Sequence, residues 1–95
     1  MKLPKVSKYP KEIIIKDESY RVCFVDVIDG KDTLGQTDSG TQVIHLKKGQ
    51  TLEETFKTLI HECLHALEFE YDIKISHKAV YQLETAIYDL LIKNF

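Results

Sequence analysis

The chain has 95 residues, which limits it to one small domain that buries roughly 60–65% of the surface exposed by its unfolded form. Its 43% hydrophobic and 29% charged residues are typical of a folded globular protein and exclude a disordered one. The formal charge is −2, so the sequence lacks the basic surplus that a nucleic-acid backbone attracts. We therefore expect a single domain covering residues 1–95.

Two features of the sequence indicate where the protein works. No apolar run approaches the roughly 20 residues that a membrane helix needs, and residues 1–5 lack the apolar core of a secretion signal. Cys23 and Cys63 each lie in an apolar stretch, which suits reduced and buried thiols better than a disulfide framework. We predict a cytoplasmic protein with no membrane partner.

The first half of the chain predicts strands. Residues 13–15 and 20–28 are rich in Val, Ile, Tyr and Phe and have turn formers between them, which predicts a hairpin. Residues 35–40 have the composition of a loop, and residues 41–46 alternate as a short third strand.

The second half predicts helices, because from Thr51 the apolar period changes from two to about 3.6 residues. Thr51 and Glu54 match a capping box, and the apolar stripe that follows continues to about Phe69. Ser76 is the predicted cap of a second helix that runs to Asn94. This order predicts an α+β fold in which a small three-stranded sheet packs on two helices.

The first predicted helix carries the sequence His61-Glu62-Cys63-Leu64-His65. The two imidazoles, four residues apart, project from one helix face about 40° apart and can bind a single Zn²⁺. Glu62 lies about 100° around the helix from His61, beside such an ion, where it can act as a general acid and base. The apolar stripe falls on the opposite side, so the histidines face a cleft or solvent. We predict that His61 and His65 bind zinc and that Glu62 is catalytic; two incidental surface histidines are the alternative.

A catalytic zinc needs a third protein ligand and an open position for water. Glu84 is the first candidate, because it lies in the apolar stripe of the second helix, where an unpaired carboxylate is costly. His77, seven residues earlier on the same face, is the alternative.

Other side chains have weaker claims to a role. Glu68 can orient an imidazole or be an ordinary solvated residue. His45 alternates in a strand and is predicted to be an ordinary surface residue, and Cys63 projects away from the histidine pair. Three tyrosines are candidates for stabilising an oxyanion, and nothing in the sequence selects one of them: Tyr71, Tyr81 and Tyr88.

Three stretches resemble the small metallopeptidase-like proteins of bacteriophages and prophages and, more distantly, the ImmA/IrrE and SprT-like zincins: Gly35-Gln36-Thr37-Asp38, Ile44-His45-Leu46, and residues 58–67. The resemblance covers most of the chain from about residue 13, but only the histidine motif is specific. It implies that residues 41–46 form an edge strand with which an extended peptide pairs, and that a following helix brings the third ligand.

By their positions in the sequence, the resemblance implies that His61 and His65 are the motif ligands. It likewise implies that Glu62 is the base and Glu84 the glutamate ligand. Tyr71 stands where metzincins have a third histidine, which disfavours that branch.

The leading hypothesis is a zinc-dependent metalloendopeptidase that hydrolyses a peptide bond of a protein substrate. The resemblance implies a regulator of a mobile element as that substrate. The alternative is a zincin-like binding module that acts through protein contacts, because 95 residues leave little chain for the walls of a peptidase cleft. A DNA-associated protease like the SprT-like group is disfavoured by the charge of −2. The sequence does not indicate an oligomeric state.

Overall fold

The computed structural model describes residues 9–28 and 33–95; the predicted absence of a secretion signal in residues 1–5 lies outside them. The elements in chain order are β1 (Glu12–Ile15), β2 (Glu18–Val25), β3 (Gly35–Asp38), β4 (Val43–Lys47), α1 (Leu52–Tyr71) and α2 (His77–Asn94). In the described ranges the strands form one mixed sheet in the order β1-β2-β4-β3. Helix α1 packs on one face of the sheet, and α2 packs against α1. None of the helices in this part of the chain has the length and apolar character needed to cross a membrane.

The prediction of three strands is wrong, because Gly35–Asp38 form a fourth strand where the composition indicates a loop. β3 pairs antiparallel with β4, with Gly35 opposite Leu46 and Thr37 opposite Ile44. Its residues are polar or small because the strand lies at the edge of the sheet and is partly exposed. The composition of this segment therefore resembles that of a loop, although pairing with β4 makes it a strand. The α+β class is retained.

The predicted edge strand is also wrong. Residues 41–46 were expected at the edge, whereas β4 lies between β2 and β3, parallel to the first and antiparallel to the second. This interior position explains why Val43, Ile44 and Leu46 are all buried. The edge beside α1 is β3.

The predicted hairpin and both predicted helix starts are confirmed, but β2 covers Glu18–Val25 rather than the predicted residues 20–28. β1 and β2 pair antiparallel, and Ile15 lies opposite Glu18 across a turn of two residues. At the start of α1 the Thr51 side chain accepts from the Glu54 N–H at 3.2 Å, and the Glu54 carboxylate accepts from the Thr51 N–H at 3.0 Å. Ser76 caps α2 by accepting from the Ala79 N–H at 3.1 Å. The caps fix where each helix begins and hence which residues face the sheet.

The core lies between α1 and the sheet. It consists of Ile15, Tyr20, Val22, Ile44, Leu46, Leu59 and Ala66. A polar contact joins β2 to α1 at this core, since the buried Tyr20 hydroxyl donates to the Glu70 carboxylate at 2.6 Å. This bond connects the last turn of α1 to β2 and restricts how the helix can rotate on the sheet.

Two isoleucines on opposite faces of the sheet test this description. Ile44 is fully buried against α1, so Ile44→Ala should lower the free energy of unfolding by about 2–5 kcal/mol. Ile14 is 62% exposed, so the matched Ile14→Ala change should cost less than about 1 kcal/mol. Urea unfolding measures both values. Equal losses would mean that α1 covers neither face, and a larger loss in Ile14→Ala would mean that it covers the other face.

Candidate metal centre

His61 and His65 lie one turn apart on α1 and converge on each other. Their Nε2 atoms are 3.1 Å apart, and the two rings meet edge to face with centroids 4.8 Å apart. Two nitrogens bound to one tetrahedral zinc at about 2.0–2.1 Å are roughly 3.3 Å apart. The separation of the two Nε2 atoms is therefore close to the one that a single zinc ion requires.

A carboxylate contacts the other nitrogen of each imidazole. Glu84 Oε1 is 2.8 Å from His61 Nδ1, and Glu68 Oε1 is 2.9 Å from His65 Nδ1. An ionised carboxylate only accepts hydrogen bonds, so these contacts favour the tautomer that has its proton on Nδ1 and a lone pair on Nε2. Two lone pairs facing each other at 3.1 Å repel unless a proton or a metal cation lies between them. Carboxylates in this position are the usual partners of metal-binding histidines.

Glu68 also links the site to the loop between the helices. Its Oε2 accepts the Ile75 N–H at 3.1 Å, and that bond, together with the one to His65, lowers the pKa of the Glu68 carboxyl. The carboxyl therefore remains ionised near neutral pH, as a partner of His65 Nδ1 needs to be. Of the two interpretations of Glu68 that the sequence leaves open, the contact favours the orienting residue.

The third ligand is not assembled in this arrangement. Glu84 reaches His61 from α2, but its carboxylate contacts Nδ1 and not the side on which the two Nε2 atoms face each other. His77 lies beside the other imidazole, with its ring 5.9 Å from that of His65. Within residues 9–28 and 33–95, no three His, Cys, Asp or Glu side chains are arranged to hold a metal ion. The histidine pair fits zinc, and the choice between Glu84 and His77 stays a prediction.

Glu62 points from α1 toward β3 and is only 6% exposed. The Thr37 hydroxyl donates to its Oε1 at 2.8 Å and lies 3.0 Å from its backbone carbonyl oxygen. Gly35 lies so close that a Cβ there would be 3.0 Å from Glu62 Cγ and 3.1 Å from Oε2. Sequence reasoning assigned no role to Gly35 or Thr37. The sequence did contain one signal for them: Gly35 and Thr37 are two residues apart, and residues at that spacing lie on the same face of a strand.

A cleft of about 270 Å³ opens beside these groups. Its walls come from α1, α2 and the start of β3: Thr33, Leu34, Gly35, Thr58, His61, Glu62, Tyr81 and Glu84. Tyr81 is the tyrosine that the structure brings to the histidines, with its ring 5.1 Å from that of His61. Tyr71 and Tyr88 lie elsewhere, each under a lysine ammonium.

Two other candidate residues lie outside the cleft. Cys63 packs against the core cluster, and burial, with the nearby Glu62 charge, raises the pKa of its thiol to about 12. His45 alternates with core residues of β4 and so points to the opposite face of the sheet. It is half-buried rather than exposed, and its Nδ1 has no hydrogen-bond partner among the described residues. Neither side chain can reach the facing Nε2 atoms.

No protein-family model, curated protein or solved structure matches this chain. The case for a metal centre therefore depends on the contacts around the two histidines.

The close approach of β3 to α1 can be tested at Gly35. An alanine Cβ there would be 2.6 Å from Cγ2 of the buried Thr58, so Gly35→Ala should lower the free energy of unfolding by about 1–3 kcal/mol. Gly40→Ala is the control, since its Cβ would come no closer than 3.3 Å, to Asp38 Oδ1. If urea unfolding gives the two variants equal stability, β3 does not lie this close to the helix.

Proposed function

We propose that the chain is a zinc-dependent metalloendopeptidase. One observation carries the proposal. The imidazoles of His61 and His65 have their Nδ1 atoms hydrogen-bonded to carboxylates and their Nε2 atoms 3.1 Å apart, next to the buried Glu62. Histidine nitrogens suit zinc, and a carboxylate beside the ion is what hydrolysis by activated water needs.

Each residue has a separate task in the proposed hydrolysis. Zinc held by His61 and His65 would lower the pKa of a water and polarise the peptide carbonyl. Glu62 would take the proton of the attacking water on Oε2, because Thr37 occupies Oε1, and would pass it to the leaving amine. The Tyr81 hydroxyl, at the wall of the cleft, is the proposed donor to the carbonyl oxygen as that oxygen gains negative charge. The products are a carboxylate and an amine.

The substrate is proposed to be an extended peptide that pairs with β3. In an antiparallel ladder, hydrogen-bonded and non-hydrogen-bonded pairs alternate. The bond from the Lys47 N–H to the Leu34 carbonyl identifies one hydrogen-bonded pair, so Gln36 belongs to the next. The N–H and C=O groups of Gly35 and Thr37 therefore point away from β4 toward the free edge, where a peptide can bind them.

The two ends of this edge open into two depressions. One is the cleft beside His61, and the other, wider depression lies beyond His65. Phe69 and Ile73 border the second depression with 63% and 48% of their surfaces exposed. Side chains on either side of the scissile bond would lie in these two depressions.

The cellular setting is proposed from the sequence. The resemblance of the histidine motif to phage and prophage metallopeptidase-like proteins supports a regulator of a mobile element as the substrate. A cytoplasmic location follows from the same proposal, since such regulators act there.

A zincin-like binding module is the second candidate, and two observations favour it. The cleft of about 270 Å³ is smaller than the roughly 300–1,000 Å³ typical of ligand pockets. In the described part of the chain, no third ligand completes the histidine pair. Such a module would bind its partner along β3 without turnover.

Metal analysis tests the zinc proposal. Protein purified without a histidine tag should contain about one zinc per chain, and chelation should lower its melting temperature because bound metal stabilises only the folded form. His61→Ala and His65→Ala should each lose the zinc. His45→Ala is the matched control and should keep it, because His45 faces the other side of the sheet. If the native protein contained no metal, zinc would be excluded from both candidate functions.

Glu62→Gln separates the peptidase from the binding module. The variant should retain zinc and lose hydrolysis of labelled casein by about 10²–10⁴-fold, since it cannot accept the proton of water. A binding module predicts instead that wild type and variant are equally inactive on casein.

Zinc retention in Glu84→Ala and His77→Ala tests the third ligand. If Glu84 is the ligand, its carboxylate must leave His61 Nδ1 to reach the metal, and its removal should weaken zinc binding far more than removal of His77. Loss of zinc in His77→Ala alone would reassign the ligand to His77.

A further inference from the structure

We propose that Thr37 is a positioning residue for Glu62, and that β3 thereby holds both the peptide and the carboxylate that acts on it. The inference rests on the proposed function only for the role of Glu62 as a base. The hydrogen bond, the burial and the strand geometry belong to the structure itself.

A hydrogen bond from Thr37 sets the position of the Glu62 carboxylate. Glu62 is 6% exposed, and the Thr37 hydroxyl is the donor that its carboxylate has within the described residues. A buried carboxylate without a donor is costly, so this bond decides where Oε1 lies. Threonine is β-branched and stiff at χ1, so the strand backbone fixes the position of the hydroxyl.

The second step is the space beside the carboxylate. Gly35 faces α1 two residues before Thr37, and any Cβ there would touch Glu62 Cγ and Oε2 at 3.0 and 3.1 Å. The absent side chain leaves room for the carboxylate against the strand. Thr37 holds Oε1, and Oε2 lies over Gly35 beside the cleft.

The third step is the free edge. Gly35 and Thr37 direct their side-chain positions toward α1, while their backbone N–H and C=O groups point away from β4. A peptide paired with this edge would therefore be bonded to the same two residues that contact Glu62. The distance from the base to the scissile carbonyl would depend on one short strand, and small errors in such a distance reduce kcat strongly.

Thr37→Val tests the proposal because it removes the hydroxyl and keeps the shape and the backbone pairing. On labelled casein, kcat should fall at least about 10-fold while KM changes less than about twofold. Thr37→Ser should restore kcat to within about threefold of wild type. Zinc content should be unchanged throughout. Thr55→Val is the control, since it removes a buried threonine hydroxyl whose partners, the Thr51 carbonyl and Tyr9, lie outside the cleft, and it should leave kcat unchanged.

Melting of the metal-free protein supplies a readout that does not depend on turnover. Thr37→Val should lower the melting temperature by roughly 4–8 °C in the wild-type background. In the Glu62→Met background, where no carboxylate is left without a donor, the same change should have little effect. Equal losses in both backgrounds, or an unchanged kcat in Thr37→Val, would overturn the proposal. If the wild type hydrolyses no substrate, the proposal of a peptidase is wrong, and the melting temperatures alone decide whether Thr37 positions Glu62.

Discussion

Two imidazole nitrogens that face each other across 3.1 Å are the constraint on which the candidate site depends. Glu84 and Glu68 contact the opposite nitrogens, which leaves both Nε2 atoms directed at the same point. If both Nδ1 atoms carry the protons, the two Nε2 lone pairs repel until a proton or a metal cation lies between them. The fold brings the two carboxylates there by separate routes, one from α2 and the other from the same helix one turn later.

The positions of the two imidazoles depend on how α1 is held against the sheet. The capping box fixes the start of the helix, and the Tyr20 hydroxyl holds its last turn through Glu70. Between them, Thr37 bonds to Glu62 at the middle of the helix. The motif therefore lies on a helix whose start is set by its cap and which two side-chain hydrogen bonds join to the sheet. The histidine face is directed toward the cleft and α2 rather than toward the core.

Sequence reasoning succeeded where the physics is local. Thr51, Glu54 and Ser76 are cap residues whose partners lie three positions away, so the helix starts could be predicted, and helical spacing alone paired His61 with His65. β3 could not be predicted in this way, because its polar residues become a strand only by pairing with β4. The edge was misassigned for a related reason, since the parallel pairing of β2 with β4 is not local. The contact of Glu84 with Nδ1 depends on where α2 docks, which spacing along the chain does not determine.

A crystal structure of the zinc-loaded chain, with anomalous diffraction recorded at the zinc edge, tests the central claim most directly. The account predicts one anomalous peak bound to the Nε2 atoms of both His61 and His65, each at about 2.0–2.1 Å, with Glu68 still on His65 Nδ1. A peak bound through Nδ1, or located away from these two residues, would contradict it.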